Sequence, residues 1–296
     1  MIISLDVGAT KIICCLINDN FKIIKKIKVA TQIEKNKKIV LQNICNIIKK
    51  IWNKNKKIKK ICIGFAGQID YKKDIVINAT NFSKDFKNIP LKKILEKKFK
   101  IPVFLNNDAQ CFVFGESIFG AGKKFNTILG FTLGTGIGTG ITINKKVYFG
   151  AHYLISELQH NIIIEQNGLK CNCGKQGCFE ATASGTALEK YYEILTKEKK
   201  TSVEINKEAL KNKKLAKKAI LKIAKNLGIG LAHFINIFDP DIVVLGGGLS
   251  EIKMLYKPAI FEMKKHLANK SLFKIPVVKS KLGENAIILG AAILEN

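Results

Sequence analysis

Three apolar segments of the chain run directly into glycine-rich turns, and this pattern restricts the fold more than any other feature. They are LDVGATK at 5–11, LGTGIGTG at 133–140 and VVLGGGLS at 243–250. Short apolar runs bounded by glycine are typical of buried strands, whereas the apolar spacing over 35–52 and 182–238 is helical. Because strands alternate with helices, the sequence predicts an α/β protein with a largely parallel sheet.

The length of the chain, 296 residues, is enough for one large or two smaller domains. We place a boundary near 118–122, with an N-terminal α/β domain over 1–119 and a larger C-terminal α/β domain over 120–283. A last helix over about 284–296 is predicted to pack back on the first domain. The first and second glycine turns resemble each other, as expected for two related halves that face each other.

The net charge of +27 raises the question of a nucleic-acid partner. All 50 basic side chains are lysines, whereas proteins that read DNA grooves favour the planar guanidinium of arginine. The lysines are scattered along the chain rather than gathered in one stripe. We therefore favour a solvated lysine surface over a specific nucleic-acid site, with nonspecific polyanion binding at low salt left open.

The composition is that of a globular protein and predicts no membrane partner. The chain is 47% hydrophobic and 25% charged, and no apolar run reaches the length of a transmembrane helix. The amino-terminal segment MIISLDVGAT lacks the basic region of a signal peptide, so a cytoplasmic location is expected. In a reducing compartment the eight cysteines would not normally form disulfides.

The glycine turns have features of phosphate-binding loops. In the first turn a buried-looking Asp6 precedes Gly8 and Thr10, which can offer backbone N–H groups and a hydroxyl to a phosphate. Neither of the first two turns matches the P-loop pattern or opens a Rossmann unit, and a single glycine turn is more often only a turn. The two turns together, followed by the third, predict a nucleotide bound in a cleft.

An acidic residue in LNNDAQ stands where a predicted strand ends and a helix begins. The commonest task for Asp108 at such a place is to cap the helix. The alternative is a general base, since phosphoryl transfer to a sugar needs a carboxylate that accepts the hydroxyl proton. The neighbouring Asn107 could bind a sugar hydroxyl or could serve only the turn.

The segment CNCGKQGC, together with a preceding histidine, has the spacing of a metal site. His160, Cys171, Cys173 and Cys178 offer four ligands of the kind that suit tetrahedral zinc. A disulfide is disfavoured by the reducing compartment, and the intervening glycines together with the nearby histidine disfavour chance clustering. Four protein ligands leave no position for a catalytic water, so the predicted zinc is structural.

Two glutamates flank the predicted zinc loop and could form a polar rim with the histidine. Glu157 lies three residues before His160, hence on the same face if the segment is helical, and Glu180 follows Cys178 by two residues. Two carboxylates and an imidazole held by a metal suit the hydroxyl groups of a polyol. Each glutamate taken singly is equally compatible with a surface position and no role.

Taken together, these motifs resemble the ROK family of repressors, uncharacterised reading frames and sugar kinases. Its signature corresponds to ELQH, CNCGKQGCFE and ATASGTAL here. LDVGATK, GFAGQID, NDAQCFVFGE, TLGTGIGTG, VVLGGGLS and LGENAIILGAA follow in family order over almost the whole chain. The chain departs from the pattern at Ala9, Ser156 and Gln159. The resemblance implies two actin-like, ribonuclease-H-like α/β domains around a central cleft, usually as a homodimer.

The resemblance also implies roles for individual residues. Asp108 corresponds to the catalytic base. The positions that correspond to sugar ligands are Gly67, Asn81, Asn107, Asp108, Glu157, His160 and Glu180. The positions that correspond to the ATP phosphate turns are Asp6, Gly8, Thr10, Lys11, Gly134, Thr135, Gly136, Gly247 and Gly248. The implied zinc ligands are again His160, Cys171, Cys173 and Cys178.

The predicted function is ATP-dependent phosphorylation of a hexose at its C6 hydroxyl, with glucose as the first candidate and Mg²⁺ bridging the phosphates. An N-acetylmannosamine or N-acetylglucosamine kinase is the alternative within this class. A sugar-responsive transcriptional regulator is the alternative from another class. Such repressors carry a helix-turn-helix before the first phosphate turn, which begins here at Asp6, and this disfavours the regulator. A noncatalytic sugar sensor is disfavoured by Asp108.

Overall fold

The structure is a computed structural model that describes residues 1–52, 57–79, 82–83 and 85–295. Its strands are β1 (Ile2–Val7), β2 (Lys11–Ile17), β3 (Ile23–Ala30), β4 (Lys60–Phe65), β5 (Gln68–Asp70), β6 (Ile75–Asn78), β7 (Lys87–Ile89), β8 (Val103–Asn107), β9 (Ile128–Leu133), β10 (Ile137–Ile143), β11 (Lys146–Val147), β12 (Ile242–Gly246) and β13 (Val277–Lys279). Its α-helices are α1 (Lys37–Ile51), α2 (Leu91–Phe99), α3 (Asp108–Phe119), α4 (Phe179–Ala183), α5 (Gly185–Thr196), α6 (Ser202–Leu210), α7 (Lys214–Phe238), α8 (Tyr256–Lys265) and α9 (Asn285–Ile293).

The chain forms two compact units. The first contains Met1–Lys124, Gly140–Ser156 and Lys281–Asn296, and the second contains Phe125–Thr139 and Glu157–Ser280. Helix α9 belongs to the first unit, where it packs on α3 and β1. The domain boundary drawn from the sequence stays a prediction.

The first unit is built on a five-stranded sheet with the order β3-β2-β1-β4-β8. Every residue of β1 is buried, because helices cover both faces of the sheet. Leu5 packs in the core that includes α1, whereas Ile2 packs with Ile288 of α9 on the other face. Burial of one such aliphatic side chain contributes roughly 1.5 to 3 kcal/mol. At the edge, β3 is largely exposed and carries lysines, which discourage pairing with another chain.

A second five-stranded sheet has the order β11-β10-β9-β12-β13, and its strands β9, β12 and β13 lie in the second unit. Its central strand β9 ends at the second glycine turn, as β1 ends at the first. The long helix α7 packs against α4, α5, α6 and α8, because one of its faces is rich in small and aliphatic residues. The two sheets therefore have matching strand arrangements, in agreement with the echo between the two glycine turns.

The α/β fold class predicted from the sequence is confirmed, but the prediction of a largely parallel sheet is wrong. In the first sheet β1 pairs with β4 in parallel and with β2 antiparallel, and β2 pairs with β3 antiparallel. The three-residue link between β1 and β2 is too short for the crossover that a parallel pair needs, so this pair forms a hairpin.

Two further features differ from the sequence pattern. The sequence pattern predicts one helix over 251–269, whereas the structure has short 3₁₀ turns followed by α8. A small antiparallel sheet, β5-β6-β7, lies in the first unit, and its strands of three or four residues are too short for periodicity to identify. Across the described part of the chain, no helix is both long and apolar enough to span a membrane.

Candidate active site and metal centre

The parallel strands of the first unit bring three predicted site segments to one edge of the sheet. Asp6 of β1 is in register with Gly64 of β4, and Gly64 is in register with Asn106 of β8. The carboxyl ends of the three strands therefore lie side by side, about 5 Å from strand to strand. The first glycine turn, the turn at Gly67 and the β8–α3 junction at Asp108 follow these ends directly. Carboxyl ends of parallel strands are the usual place for ligand sites in α/β proteins.

The residue that caps α3 is Asn107, not Asp108. The Oδ1 atom of Asn107 accepts hydrogen bonds from the backbone N–H groups of Ala109, at 3.0 Å, and Gln110, at 3.2 Å. Asp108 is the first residue of the helix, and its Oδ1 atom accepts from the N–H of Ala109 at 2.8 Å. An aspartate at the start of a helix most often caps it, but in α3 the cap is Asn107 and not Asp108. A carboxylate in the first turn is also favoured by the helix dipole.

The side chain of Asn107 has a structural task as well as a predicted ligand role. It is 5% exposed, and its Nδ2 atom donates to the carbonyl of Gly67 at 3.0 Å. With Oδ1 engaged in capping, one amide hydrogen of Asn107 is left for a sugar hydroxyl. The bond also brings together two of the predicted sugar-binding positions. Asn81, a third such position, lies outside the described residues.

The first glycine turn is held closed by its own strands and by Thr31. The N–H of Gly8 donates to the carbonyl of Lys11 at 3.0 Å, and the Thr31 hydroxyl donates to the carbonyl of Gly8 at 2.6 Å. The N–H of Thr31 donates to the carbonyl of Thr10 at 3.1 Å, while Thr10 itself is exposed. The predicted phosphate-binding residue Thr10 is therefore held on a fixed turn.

Charged groups surround this turn. Burial raises the pKa of Asp6 to about 7, although Lys11 acts in the opposite direction. Lys11, Lys26 and Lys28 all contact the carboxylate of Glu284, which immediately precedes α9. The hydrogen bond from Lys11 lowers the pKa of Glu284 to about 2. The turn is thus bordered by a lysine cluster, Lys11, Lys26 and Lys28, whose charge is partly balanced by one carboxylate.

In the second unit, the turn at Gly134, Thr135 and Gly136 is fixed by hydrogen bonds from the start of α5. Gly185 N donates to the carbonyl of Gly134 at 2.8 Å, and the Thr186 hydroxyl donates to the carbonyl of Thr135 at 2.9 Å. Thr135 remains exposed at the tip of the turn. These bonds define a second loop of fixed shape, as a phosphate-binding role requires.

The third glycine turn lies beside the second one. Strands β9 and β12 are parallel, with Gly246 in register with Thr132. Gly247 has a φ of +82°, and a Cβ atom at this position would lie 2.4 Å from the carbonyl oxygen of Leu133. Only glycine fits this position, because both the backbone conformation and the space exclude a side chain. Gly248 then begins a short 3₁₀ turn, so the two predicted ATP-binding turns of the second unit share one edge.

The four predicted zinc ligands lie together. The ligand atoms of His160, Cys171, Cys173 and Cys178 are all within 4.8 Å of one another. His160 Nδ1 is 3.7 Å from Cys171 Sγ and 3.9 Å from Cys178 Sγ. Zinc–sulfur and zinc–nitrogen bonds of about 2.3 and 2.0 Å at tetrahedral angles give edges of about 3.5 to 3.8 Å. The donor set and its spacing therefore fit a zinc ion with four protein ligands.

The three residues of the predicted polar rim all lie beside the predicted zinc ligands in the second unit. Glu157 and His160 lie in one 3₁₀ turn, Ile155–His160, and His160 Nε2 is 3.7 Å from a carboxylate oxygen of Glu157. One oxygen of Glu180 is 3.5 Å from Cys171 Sγ, and the other accepts the N–H of Ile137 at 2.9 Å. Because Nδ1 of His160 faces the sulfurs, its Nε2 is the nitrogen directed towards this rim.

Several residues that hold the site were not found from the sequence. Thr31 and Thr186 each fix a glycine turn, and Glu284 contacts the lysine cluster. Tyr71 accepts a hydrogen bond from the N–H of Asn107. Of these four residues, only Thr186 has a local sequence signal, because it lies in the serine-glycine-threonine segment after the predicted zinc loop. The other three are distant in sequence from the groups that they contact.

Known proteins with the same architecture have been solved. The structure of a ROK family glucokinase from Streptomyces griseus in complex with glucose and AMPPNP matches with a TM-score of 0.87 and 30% identity, covering 98% of this chain and 97% of that one. The mixed α/β architecture described above is thus the actin-like fold of sugar kinases. The sequence pattern that defines the ROK family matches residues 2–296. The chain belongs to the ROK family.

Relatives in this family have different functions. A glucokinase from Thermotoga maritima is 34% identical to this chain, over 98% of the chain and 96% of its own length. A xylose repressor from Caldicellulosiruptor bescii is 30% identical, over 98% of this chain and 76% of its own length. The resemblance found in the sequence is confirmed, and the family includes both kinases and repressors.

Proposed function

We propose that the protein is an ATP-dependent kinase that phosphorylates the C6 hydroxyl of a hexose, with glucose as the first candidate. The observation that carries the proposal is the position of Asp108 at the start of α3. Asn107 performs the capping, and Asp108 follows the same sheet edge as the first glycine turn. The glucokinase relatives and the Streptomyces griseus complex support this activity.

Asp108 accepts the proton of the C6 hydroxyl as the oxygen attacks the γ-phosphorus of ATP. A positioned general base of this kind typically contributes a hundredfold to ten-thousandfold in rate. The remaining amide hydrogen of Asn107 and the turn at Gly67 orient the hexose from the first unit. Asn81 belongs to the same proposed set. These groups act mainly by positioning, which together with electrostatic stabilisation accounts for most of the catalysis in phosphoryl transfer.

The phosphates of ATP bind to the glycine turns. In the first unit the proposed phosphate-binding residues are Gly8, Thr10 and Lys11, with the buried Asp6. In the second unit they are the turns at Gly134, Thr135 and Gly136 and at Gly247 and Gly248. Mg²⁺ supplies charge neutralisation to the phosphates when bound. The protein groups offer backbone N–H donors, hydroxyls and one ammonium group, which suit phosphate oxygens.

A structural zinc ion at His160, Cys171, Cys173 and Cys178 fixes the loop that carries the second set of sugar ligands. When bound, the metal supplies a rigid crosslink between the 3₁₀ turn and the start of α4. His160 then donates through Nε2 in a fixed direction, since metal coordination at Nδ1 selects one tautomer. Glu157 and Glu180 accept from neighbouring hydroxyl groups of the hexose.

The experiment that tests the proposal is a coupled assay of ADP release on the wild-type protein and on Asp108→Asn. The panel contains glucose, mannose, N-acetylmannosamine, N-acetylglucosamine and xylose. Turnover should be highest with glucose and should fall about a hundredfold or more in the variant, while sugar binding by calorimetry persists. Zinc is measured separately by elemental analysis, with one ion per chain expected. An Asp108→Asn variant that keeps near wild-type turnover would exclude this base.

A sugar-responsive regulator is the second candidate, because a xylose repressor is 30% identical over 98% of this chain. Xylose has no C6 hydroxymethyl group and cannot be phosphorylated at that position. Tight binding of xylose or another sugar without ADP release on any member of the panel would favour the regulator. An acetamido sugar as the best substrate would favour the N-acetylhexosamine kinase. The homodimer and the cytoplasmic location stay predictions.

A further inference from the structure

The junction between β8 and α3 is supported by a side chain that no sequence motif indicated. Strand β8 is at the edge of the first sheet, so one side of its backbone has no neighbouring strand in that sheet. The N–H of Asn107 is directed to the hydroxyl of Tyr71 at 3.2 Å. Tyr71 follows β5 directly, and β5 lies against β8. The phenol thus provides the acceptor that a further strand would otherwise supply.

The hydroxyl of Tyr71 is engaged on both sides. It accepts from Asn107 and donates to Oε1 of Gln110 at 2.5 Å. Gln110 is fully buried, and within the described residues its Nε2 atom has no hydrogen-bond partner. The amide of Gln110 is therefore retained in the core with Tyr71 as its side-chain partner. Burial raises the pKa of Tyr71 well above its usual value, so the phenol stays protonated and can donate.

The ring of Tyr71 is held by two other aromatic residues. Its centroid is 4.9 Å from that of Tyr153 and 5.1 Å from that of Phe149, with tilted and edge-on geometries that are favourable for aromatic pairs. Both neighbours belong to the first unit, in the segment Gly140–Ser156. The hydroxyl is consequently presented to the junction from a fixed direction.

We infer that Tyr71 is a positioning residue for Asp108. The peptide that receives support from Tyr71 immediately precedes the proposed base, and the same residue, Asn107, caps the helix on which the base stands. The chain Gln110–Tyr71–Asn107 ties the first turn of α3 back to the end of β8. This inference rests on the proposed function, because it assigns Tyr71 to the geometry of the base in that reaction.

Removal of the hydroxyl has two separable consequences. Tyr71→Phe leaves the Asn107 N–H and the Gln110 side chain without their partner, and buried polar groups of this kind cost stability when unpaired. Replacement of Gln110 as well, in Tyr71→Phe/Gln110→Leu, removes one of these unpaired groups and should restore part of the stability. The Asn107 N–H remains without its acceptor in the double variant, so the position of Asp108 should not recover.

The expected result for Tyr71→Phe is a ten- to hundredfold decrease in kcat, with the KM values for hexose and ATP within threefold of wild type. The double variant should melt at a higher temperature than Tyr71→Phe but keep the low kcat. Gln110→Leu alone retains the Tyr71–Asn107 bond and should stay within threefold of wild-type kcat. Tyr192→Phe is the matched control, since its hydroxyl donates to Glu208 at 2.6 Å in the second unit. It should keep wild-type kinetics.

A second measurement does not depend on catalysis. Amide hydrogen exchange followed by NMR should show that the Asn107 N–H exchanges at least tenfold faster in Tyr71→Phe, while the N–H groups of α1 are unchanged. If the wild-type protein has no kinase activity, this measurement still tests the bond, and only the proposed function fails. Wild-type kcat in Tyr71→Phe, recovery of kcat together with stability in the double variant, or unchanged exchange at Asn107 would each overturn the inference.

Discussion

Glu180 accepts the backbone N–H of Ile137 at 2.9 Å, and through this bond the zinc loop is joined to the second glycine turn. Ile137 is the residue directly after Gly136, and the other oxygen of Glu180 is 3.5 Å from Cys171 Sγ. The turn and the loop are far apart in sequence, which suggests independent roles. In the structure both contact the carboxylate of Glu180, so we expect a disturbance of the loop to reach the turn.

We therefore expect removal of zinc to raise the KM for ATP as well as the KM for the hexose. The hexose KM should rise tenfold or more, because His160, Glu157 and Glu180 all depend on the loop. The ATP KM should rise about threefold, because only one bond links Glu180 to the turn, and the loss of a hydrogen bond costs about 0.5 to 1.5 kcal/mol. Saturation curves for both substrates on the metal-free protein, with folding checked by circular dichroism, measure the two effects.

A matched control acts on the turn alone. Thr186→Val removes the hydroxyl that donates to the carbonyl of Thr135 at 2.9 Å and leaves the zinc ligands in place. It should raise the ATP KM without changing the hexose KM or the zinc content. An ATP KM that does not move in the metal-free protein would show that the Glu180–Ile137 bond does not transmit the state of the loop.

The two glycines of the zinc loop should respond differently to alanine. A Cβ atom on Gly177, where φ is +64°, would lie 1.6 Å from the backbone oxygen of Glu165. Gly174 has a φ of +90°, but a Cβ atom there would meet nothing within 4 Å. Gly174→Ala should therefore lower the free energy of unfolding by about 1 to 2 kcal/mol, the cost of the left-handed backbone conformation. Gly177→Ala should cost roughly 2 to 5 kcal/mol, since steric overlap is added.

Chemical denaturation of the zinc-loaded proteins measures this difference, and competition with a chromophoric chelator measures zinc affinity. Gly177→Ala should also bind zinc more weakly, because the backbone of Glu165 must move away from the loop. The N–H of Glu165 donates to the carbonyl of Gly177 at 3.2 Å, so the same contact is part of the loop's support. Equal losses in the two variants would mean that backbone conformation alone decides the cost.

The parts of the proposed site that have local signals could be predicted from the sequence. The four predicted zinc ligands lie within a short segment with a recognisable spacing, and the glycine turns follow apolar strands. The α/β class followed from the alternation of elements. The prediction of a largely parallel sheet fails at the β1–β2 turn, where the two strands are antiparallel. The link between β1 and β2 is only long enough for a hairpin.

Contacts between distant segments could not be predicted, because nothing local encodes them. Glu284 is an ordinary glutamate before the last helix until the fold places it against Lys11 of β2. Tyr71 belongs to no recognised sequence motif, and its contact with Asn107 depends on how β5 lies against β8. Sequence alone does not distinguish the capping residue of α3, since Asn107 and Asp108 are both good N-cap residues.

The buried carboxyl group of Asp6 should make stability depend on pH. Its pKa is about 7 in the folded protein against an ordinary value of 3.8, and burial is the main cause, with Lys11, Glu284, Lys26 and Lys28 as charged neighbours. Between these two values the folded state holds the proton more tightly than the unfolded chain. The contribution of Asp6 to stability is therefore fully present below pH 3.8 and is lost as the pH rises towards 7.

Asp6→Asn removes this titration. Between pH 5 and pH 8 the wild type should lose about 2 to 3 kcal/mol of unfolding free energy relative to the variant. Urea denaturation of both proteins at the two pH values provides the measurement, and taking the difference cancels the other titrating groups. A difference that is independent of pH would show that Asp6 ionises at its ordinary pKa in the folded protein.

The contact between Glu284 and Lys11 should weaken the binding of ATP phosphates. Lys11, Lys26 and Lys28 share this carboxylate, so Glu284→Gln increases the positive charge beside the first turn. Exposed ion pairs contribute about 0.2 to 1 kcal/mol, which corresponds to a decrease in the ATP KM of up to about fivefold. The decrease should become smaller as salt is added, because exposed charges are screened.

Asp19→Asn is the control, since Asp19 pairs with Lys59 on another part of the surface and the net charge changes equally. ATP saturation curves at low and high salt for both variants make the comparison. An ATP KM that rises in Glu284→Gln would mean that the carboxylate holds Lys11 in its binding position rather than competing with the phosphates.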